Sequence, residues 1–289
     1  MRIGVNVCSQ NESAYGKHWG EKTYKKVKEF GFTCTDFSVL YKTDHPFYTL
    51  PEEEASALVV REKVLAQEAG VEIYQAHAPV VQKATPYTED ELELWLENTK
   101  RCIRFCSMIE CRFLVVHPMM INGWSDRDTV IAADTFEKNI FYMRVLADYA
   151  KDMNVILCYE NMPCIGFSIS HPHEILKVVQ AVAHPNLGVC LDIGHTTAFS
   201  SGISIGEQIR NIGSLLKVLH VHDNYGMSDQ HNYPGMGITN WNEVRESLDK
   251  IGFDGVFSLE LYHPSHFSEK VFEEACKLSF NMANELING

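Results

Sequence analysis

The chain contains no apolar run of the roughly 18 residues that a membrane-spanning helix needs. It opens MRIGVNV, a strand pattern from the second residue, without a charged segment leading into a long apolar stretch, so no secretory signal is expected. None of the nine cysteines is spaced C-x-x-C, their number is odd, and several sit in apolar runs such as VILCYEN and LGVCLDIG. Buried reduced thiols in a cytoplasmic protein are therefore expected rather than a disulfide framework. No basic stretch is longer than YKKVK and the net charge is −13, which speaks against a broad cationic face for nucleic acid. No G-x-G-x-x-G turn follows an early strand, so the signature of an open dinucleotide-binding sheet is missing. No low-complexity run or Pro/Gly/Ser linker divides the 289 residues, and one domain over 1–289 is expected.

What the chain does have is alternation. Short apolar runs recur at 2–7, 32–37, 71–76, 112–116, 154–159, 187–191, 215–221 and 255–261. Longer helical patterns separate them. In LPEEEASALVVREKVLAQEAG, Pro51 sits in the first turn, Glu52, Glu53 and Glu54 lie at the positive end of the dipole, and Gly70 ends the segment. Its apolar face is expected to be Leu58, Val59, Leu65, Ala66 and Ala69. TEDELELWLENTKRCIRFCSMI opens on a capping-box pattern, Thr88 to Glu91. Segments 128–151, 171–182, 204–213, 241–250 and 267–287 read as further helices. Strict strand–helix alternation over eight repeats predicts an α/β chain with an all-parallel sheet closed into a (β/α)8 barrel.

The ends of the strands carry the chemistry. YQAHAP ends in His77, FLVVHP in His117, LCYENM in Glu160 and Asn161, and VCLDIGH in Asp192 and His195. KVLHVHDN ends in His220, His222 and Asp223, FSLELYH in Glu260 and His263, and the loop after the seventh strand adds Asp229 and His231. In a closed barrel these ends meet on one rim, the face that bears active sites. Each residue alone has an ordinary explanation as a strand-end group bonded to backbone. Collecting them in one place is costly unless a cation offsets the charge. Mixed imidazole nitrogen and carboxylate oxygen, with no cysteine, suits zinc, manganese, iron or cobalt better than calcium.

The motifs AHAP, VVHP, YEN, VCLDIGH, HVHDN, DQH with PGMG and NW, and SLEL occur in an order that resembles the xylose isomerase-like TIM-barrel superfamily. Within it the chain looks like the sugar phosphate isomerase/epimerase group, which is related to three-zinc apurinic-site endonucleases. The resemblance implies a metal held by Glu160, Asp192, His220 and Glu260. The endonuclease pattern would add a second metal at His77, His117 and a shared Glu160, and a third at His195, Asp229 and His231. One to three zinc or manganese ions are thus implied. One of Glu160 and Glu260 would remove a proton beside a ketose carbonyl and the other return it, through an enediolate, in an isomerase or epimerase. A related dehydratase of inosose or dehydroshikimate type, or an abasic-site phosphodiesterase, is the alternative. His222, Trp19, Asn161 and His263 are the expected substrate-contacting residues, with Tyr15, Phe37, Tyr41, Trp124 and Phe167 as rim aromatics. The expected partner is a small sugar or polyol-derived substrate, not nucleic acid or membrane. Arg127 is the one loop arginine placed to meet a phosphate. Apolar residues on the outer helices would permit a homo-oligomer.

Overall fold

Strands buried on both faces of a parallel sheet need apolar or small residues along their whole length. The eight short runs supply them: β1 (Arg2–Val7), β2 (Cys34–Phe37), β3 (Glu72–His77), β4 (Phe113–Val116), β5 (Ile156–Glu160), β6 (Leu187–Asp192), β7 (Leu216–His220) and β8 (Val256–Leu259). The structure is a computed structural model and describes residues 1–7, 20–80, 82–199, 201–264 and 266–289. Hydrogen-bonded neighbours run β7-β6-β5-β4-β3-β2-β1-β8, all parallel. Beyond β7, Val221 pairs with Leu259. The Val221 N–H donates to the Ser258 carbonyl (2.9 Å), and the Glu260 N–H donates to the Val221 carbonyl (3.0 Å). This bridge brings the two edge strands together, and the expected (β/α)8 barrel results.

Ten α-helices occur among the described residues: α1 (Thr23–Glu29), α2 (Pro46–Thr49), α3 (Glu52–Ala69), α4 (Glu89–Met108), α5 (Ala132–Ala150), α6 (Pro172–Val182), α7 (Ile193–Ala198), α8 (Ile205–Ile212), α9 (Trp241–Ile251) and α10 (Glu269–Asn288). The alternation is broken twice, by short α2 before α3 and by α7 before α8. Asp192 explains the second break. It ends β6 and at once caps α7, its Oδ1 accepting the His195 N–H at 2.6 Å. The Thr88–Glu91 capping box forms as the sequence implies, with the Thr88 N–H donating to Glu91 (2.8 Å) and the Glu91 N–H to Thr88 Oγ1 (3.3 Å). On α3 the fully buried stripe is Ala55, Val59, Glu62 and Ala66, while Leu58, Leu65 and Ala69 are only partly buried against the core. Glu62 is tolerated there because the Tyr24 hydroxyl donates to it at 3.0 Å.

The core has two parts. The larger lies between the outer faces of the strands and the helices. A smaller cluster, Val115, Cys158, Cys190 and Val218, fills the barrel interior. Strand side chains alternate between faces, so residues two positions further along point the same way. Two positions beyond those four residues stand His117, Glu160, Asp192 and His220. The same step leads from Cys34 to Asp36, from Gln75 to His77 and from Ser258 to Glu260. The polar rim is thus the next layer above the apolar barrel filling. Of the eight described cysteines all but Cys164 are buried. Among the described residues no helix is long and apolar enough to cross a membrane.

Candidate metal centre

Three groups of ligand-type side chains gather at the C-terminal rim, each with its donor atoms within 4.8 Å of one another. They are Glu160, Asp192, His220 and Glu260; His77, Glu160 and His220; and His195, His222, Asp229 and His231. All nine sequence-predicted ligand residues converge, although His117 stands outside these groups. It approaches through Glu160 Oε2 (2.9 Å) and His77 Nε2 (3.1 Å). Glu160 is the hinge of the arrangement. One oxygen faces His220 Nδ1 at 2.7 Å, and the other faces His117 at 2.9 Å and His77 at 3.2 Å.

The orientation of the histidines is set from outside. His77 Nδ1 lies 2.8 Å from the Ala78 carbonyl, His195 Nδ1 2.8 Å from the Asn161 carbonyl, and His231 Nδ1 2.8 Å from the Glu260 carbonyl. A carbonyl only accepts, so each Nδ1 carries the proton, and each neutral ring turns the lone pair of Nε2 inward. His220 is the mirror case: Nε2 donates to Asp36 Oδ2 at 2.9 Å, leaving Nδ1 toward Glu160 and, at 3.2 Å, Glu260. Lone pairs therefore point at carboxylate oxygens. Such a contact is stable only with a proton or a cation between the two atoms.

The electrostatics carry the same strain. Burial alone would depress His195, but the charge of Asp192 and the hydrogen bond to Asp229 lift it to about 10. His231 is likewise opposed by burial and lifted by Asp229 to about 9. Burial would raise Asp229 and Glu160. The bonds from His195 and His231 hold the first well below the ordinary carboxylate range, and the charges of His220 and His117 do so for the second. Burial keeps His117 below its usual value against the pull of Glu160. Among the described residues every ion pair of these carboxylates is with a histidine. Several donor atoms are buried with no hydrogen-bond partner: Asp192 Oδ2, Asp229 Oδ1, His117 Nδ1 and both ring nitrogens of His222. Spare inward donors, outward-fixed imidazoles and, among the described residues, no lysine or arginine partner fit a divalent ion with mixed nitrogen and oxygen ligands.

The remaining expected site residues are placed differently. Asn161 is buried and its amide is spent locally: Nδ2 donates to the Asp192 carbonyl (3.0 Å), and Oδ1 accepts the Asp192 N–H (2.8 Å). It splices β5 to β6. His222 is fully buried, 4.0 Å ring to ring from His231. His263 lies away from the ligand groups, between Tyr233 (3.1 Å to its hydroxyl) and the Phe272 ring, and burial depresses it to about 4. Trp19 and Tyr15 lie outside the described residues. Phe37 and Phe167 belong to the core, whereas Tyr41 and Trp124 remain exposed. Arg127 is fully engaged, paired twice with Glu174 (2.6 and 2.9 Å) and donating to the Ile165 and Phe167 carbonyls.

Asp223, in the middle of the histidine-rich loop, is a structural knot. Its oxygens accept from the backbone of Gly235, Gly237 and Thr239, the Thr239 hydroxyl and the Trp241 indole, at 2.7 to 3.2 Å. This is why PGMG and NW follow it. A Cβ on Gly237 would stand 2.3 Å from Asp223 Oδ1. Two neighbours of the site were not expected from the sequence. Asp36, held also by Gln75 Nε2 at 2.8 Å, orients His220, and the Tyr262 ring lies tilted over His231 with centroids 4.2 Å apart. Asp36 carries a weaker signal than the others, because it lies inside its strand and Phe37 closes the run.

Comparison with known proteins bears on the family and the fold. A family model described as xylose isomerase-like TIM barrel matches residues 24–281. An uncharacterised protein of Methanocaldococcus jannaschii is 31% identical over 170 residues, 58% of this chain and 57% of its own. The D-psicose 3-epimerase of Ruminiclostridium cellulolyticum is 25% identical over 86% of this chain and 81% of its own. A probable endonuclease 4 of Mesomycoplasma hyopneumoniae is 28% identical over 63% and 65%. The chain spans between about half and two thirds of the length of the first curated relatives it matches. The crystal structure of a D-tagatose 3-epimerase-like protein, 26% identical, superposes with a TM-score of 0.73 over 99% of both chains. With the match extending over most of its length, the chain belongs to the xylose isomerase-like TIM-barrel family.

Proposed function

We propose that the protein is a divalent-metal-dependent sugar epimerase or isomerase that moves a proton beside a ketose carbonyl. The observation that carries this reading is the convergence of Glu160, Asp192, His220 and Glu260, with the Glu260 side chain 21% exposed and the other three buried. A zinc- or manganese-type ion held by these four would supply Lewis-acid polarisation of a carbonyl. The protein's own groups do the rest. Glu260 is the carboxylate open to an incoming substrate and serves as the proton-transferring base. Glu160, in from the other side on β5, is its partner as acid. Asp36 holds His220 by Nε2, so that its Nδ1 stays directed at both glutamates. Tyr262, exposed and in tilted contact with the His231 ring, forms an aromatic wall for the sugar. The likeness to D-psicose 3-epimerase over most of both chains supports the substrate class.

A phosphodiesterase reading has one specific observation in its favour: Glu160 stands between His220 and the His77–His117 pair, as a carboxylate bridging two ions would. Against it, the loop arginine closest to a phosphate grip, Arg127, is consumed by Glu174 and two carbonyls. One experiment separates the two. Metal-loaded protein is incubated in D2O with ketoses, inososes and hydroxy-keto acids, and loss of the C–H signal is followed by NMR. Exchange with a ketose, abolished by Glu160→Gln and by Glu260→Gln, is the expected result. No exchange with any compound, together with incision of an abasic-site duplex, would reverse the assignment.

A further inference from the structure

The resemblance to three-zinc enzymes implies a three-donor set at His195, Asp229 and His231, but a fourth side chain points into the same space. We propose that His222 completes a closed, four-ligand zinc site with His195, Asp229 and His231. This site would be separate from the ion of the reacting centre and would fasten the β7–α9 connection to α7. The inference does not depend on the epimerase reading.

His222 is wholly buried, yet neither ring nitrogen has a hydrogen-bond partner. Its Nε2 stands 3.1 Å from Asp192 Oδ1 and 3.6 Å from Asp229 Oδ1, without hydrogen-bond geometry to either. An imidazole stripped of water and left unbonded is costly, and a metal is the partner that removes the cost. The backbone is shaped for the ring: a Cβ on Gly194 would lie 2.0 to 2.4 Å from its atoms, so only glycine opens α7 to His222. His195 and His231 have Nδ1 tied to carbonyls, which leaves Nε2 of each facing Asp229 Oδ2 at 3.4 and 3.2 Å. His231 holds a positive φ of 49°, an uncommon conformation that turns its side chain back toward the group.

Three imidazole nitrogens and one carboxylate oxygen match a tetrahedral zinc site, and four protein ligands leave no position for water or substrate. Its role is then architectural. The four ligands come from α7, the residue pair after β7, and the loop that follows. His231 also donates to the carbonyl of Glu260, so the ion would steady the backbone of that glutamate.

Cobalt substitution with metal counting tests this. The holoprotein, stripped and reloaded with Co(II), is expected to show intense four-coordinate visible bands. His222→Gln is expected to lose that intensity and to weaken one metal equivalent by more than about tenfold in chelator competition. Glu160→Gln should leave those bands in place. If His222→Gln does not fold, as judged by circular dichroism, Asp229→Asn decides, because its side chain is 25% exposed and better tolerated. It is expected to lose the same equivalent. Unchanged bands and metal content in the folded variant would overturn the inference. Since the readout is metal, an absence of deuterium exchange would count against the epimerase reading and leave this one standing.

Discussion

Replacing Asp36 tests how the reacting centre is oriented. Its Oδ2 accepts from His220 Nε2 at 2.9 Å and from Gln75 Nε2 at 2.8 Å, in a site where Asp36 is 1% exposed. The acceptor fixes the proton on Nε2 and so presents Nδ1 as the inward donor. Asp36→Asn keeps an acceptor but removes its charge. A hydrogen bond to a charged group contributes about 1.5–3 kcal/mol and a neutral one about 0.5–1.5. The difference, about 1 to 1.5 kcal/mol, corresponds to a roughly tenfold loss of metal affinity. Asp36→Ala removes the acceptor altogether and frees the His220 ring, so the loss should approach about a hundredfold, the upper range for residues that orient a ligand. Competition against a chromophoric chelator measures both, with Glu160→Gln as the reference for losing a direct ligand. If Asp36→Asn and Asp36→Ala both bind metal within twofold of the parent chain while Glu160→Gln does not, the contact is mere packing and the reasoning fails.

Asp223→Ala should be among the most destabilising single changes, because it strands buried donors at about 1–3 kcal/mol each. A fall in the urea midpoint well beyond that of a surface substitution checks it. Gly237→Ala places a methyl group against Asp223 and should cost about 1–3 kcal/mol in the same assay, and a neutral result would contradict the knot. In chelator-treated protein, His195 and His231, lifted by Asp192 and Asp229, are expected to titrate at about 10 and about 9, above the unfolded value of roughly 6.5. Their contribution to stability is complete below about pH 6.5 and disappears as the pH rises through 9 to 10. Melting curves across that range should show the decline, and a flat profile would count against it. Metal affinity must run the other way, strengthening with pH, because imidazole binds a cation only when neutral.

Much of this was legible before any tertiary structure. The short apolar runs, the capping box at Thr88 and the glycine after α3 mark where strands and helices lie, because those signals depend on neighbours a few residues away. The polar strand ends were legible for the same reason: a carboxylate or imidazole closing a buried run stands out in one dimension. Which of them face one another is a different matter. His222 and His220 are two residues apart on one chain segment, yet one joins the group with Glu160 and the other the group with Asp229. Asn161, next to Glu160, turns away and bonds to backbone. Asp36 shares the layer, but Phe37 and not Asp36 closes its run. These distinctions come from closure of the barrel and from outward hydrogen bonds that choose a tautomer, contacts between residues as far apart as 36 and 220. Local pattern placed the donors on the rim; only the closed sheet decided which lone pairs meet.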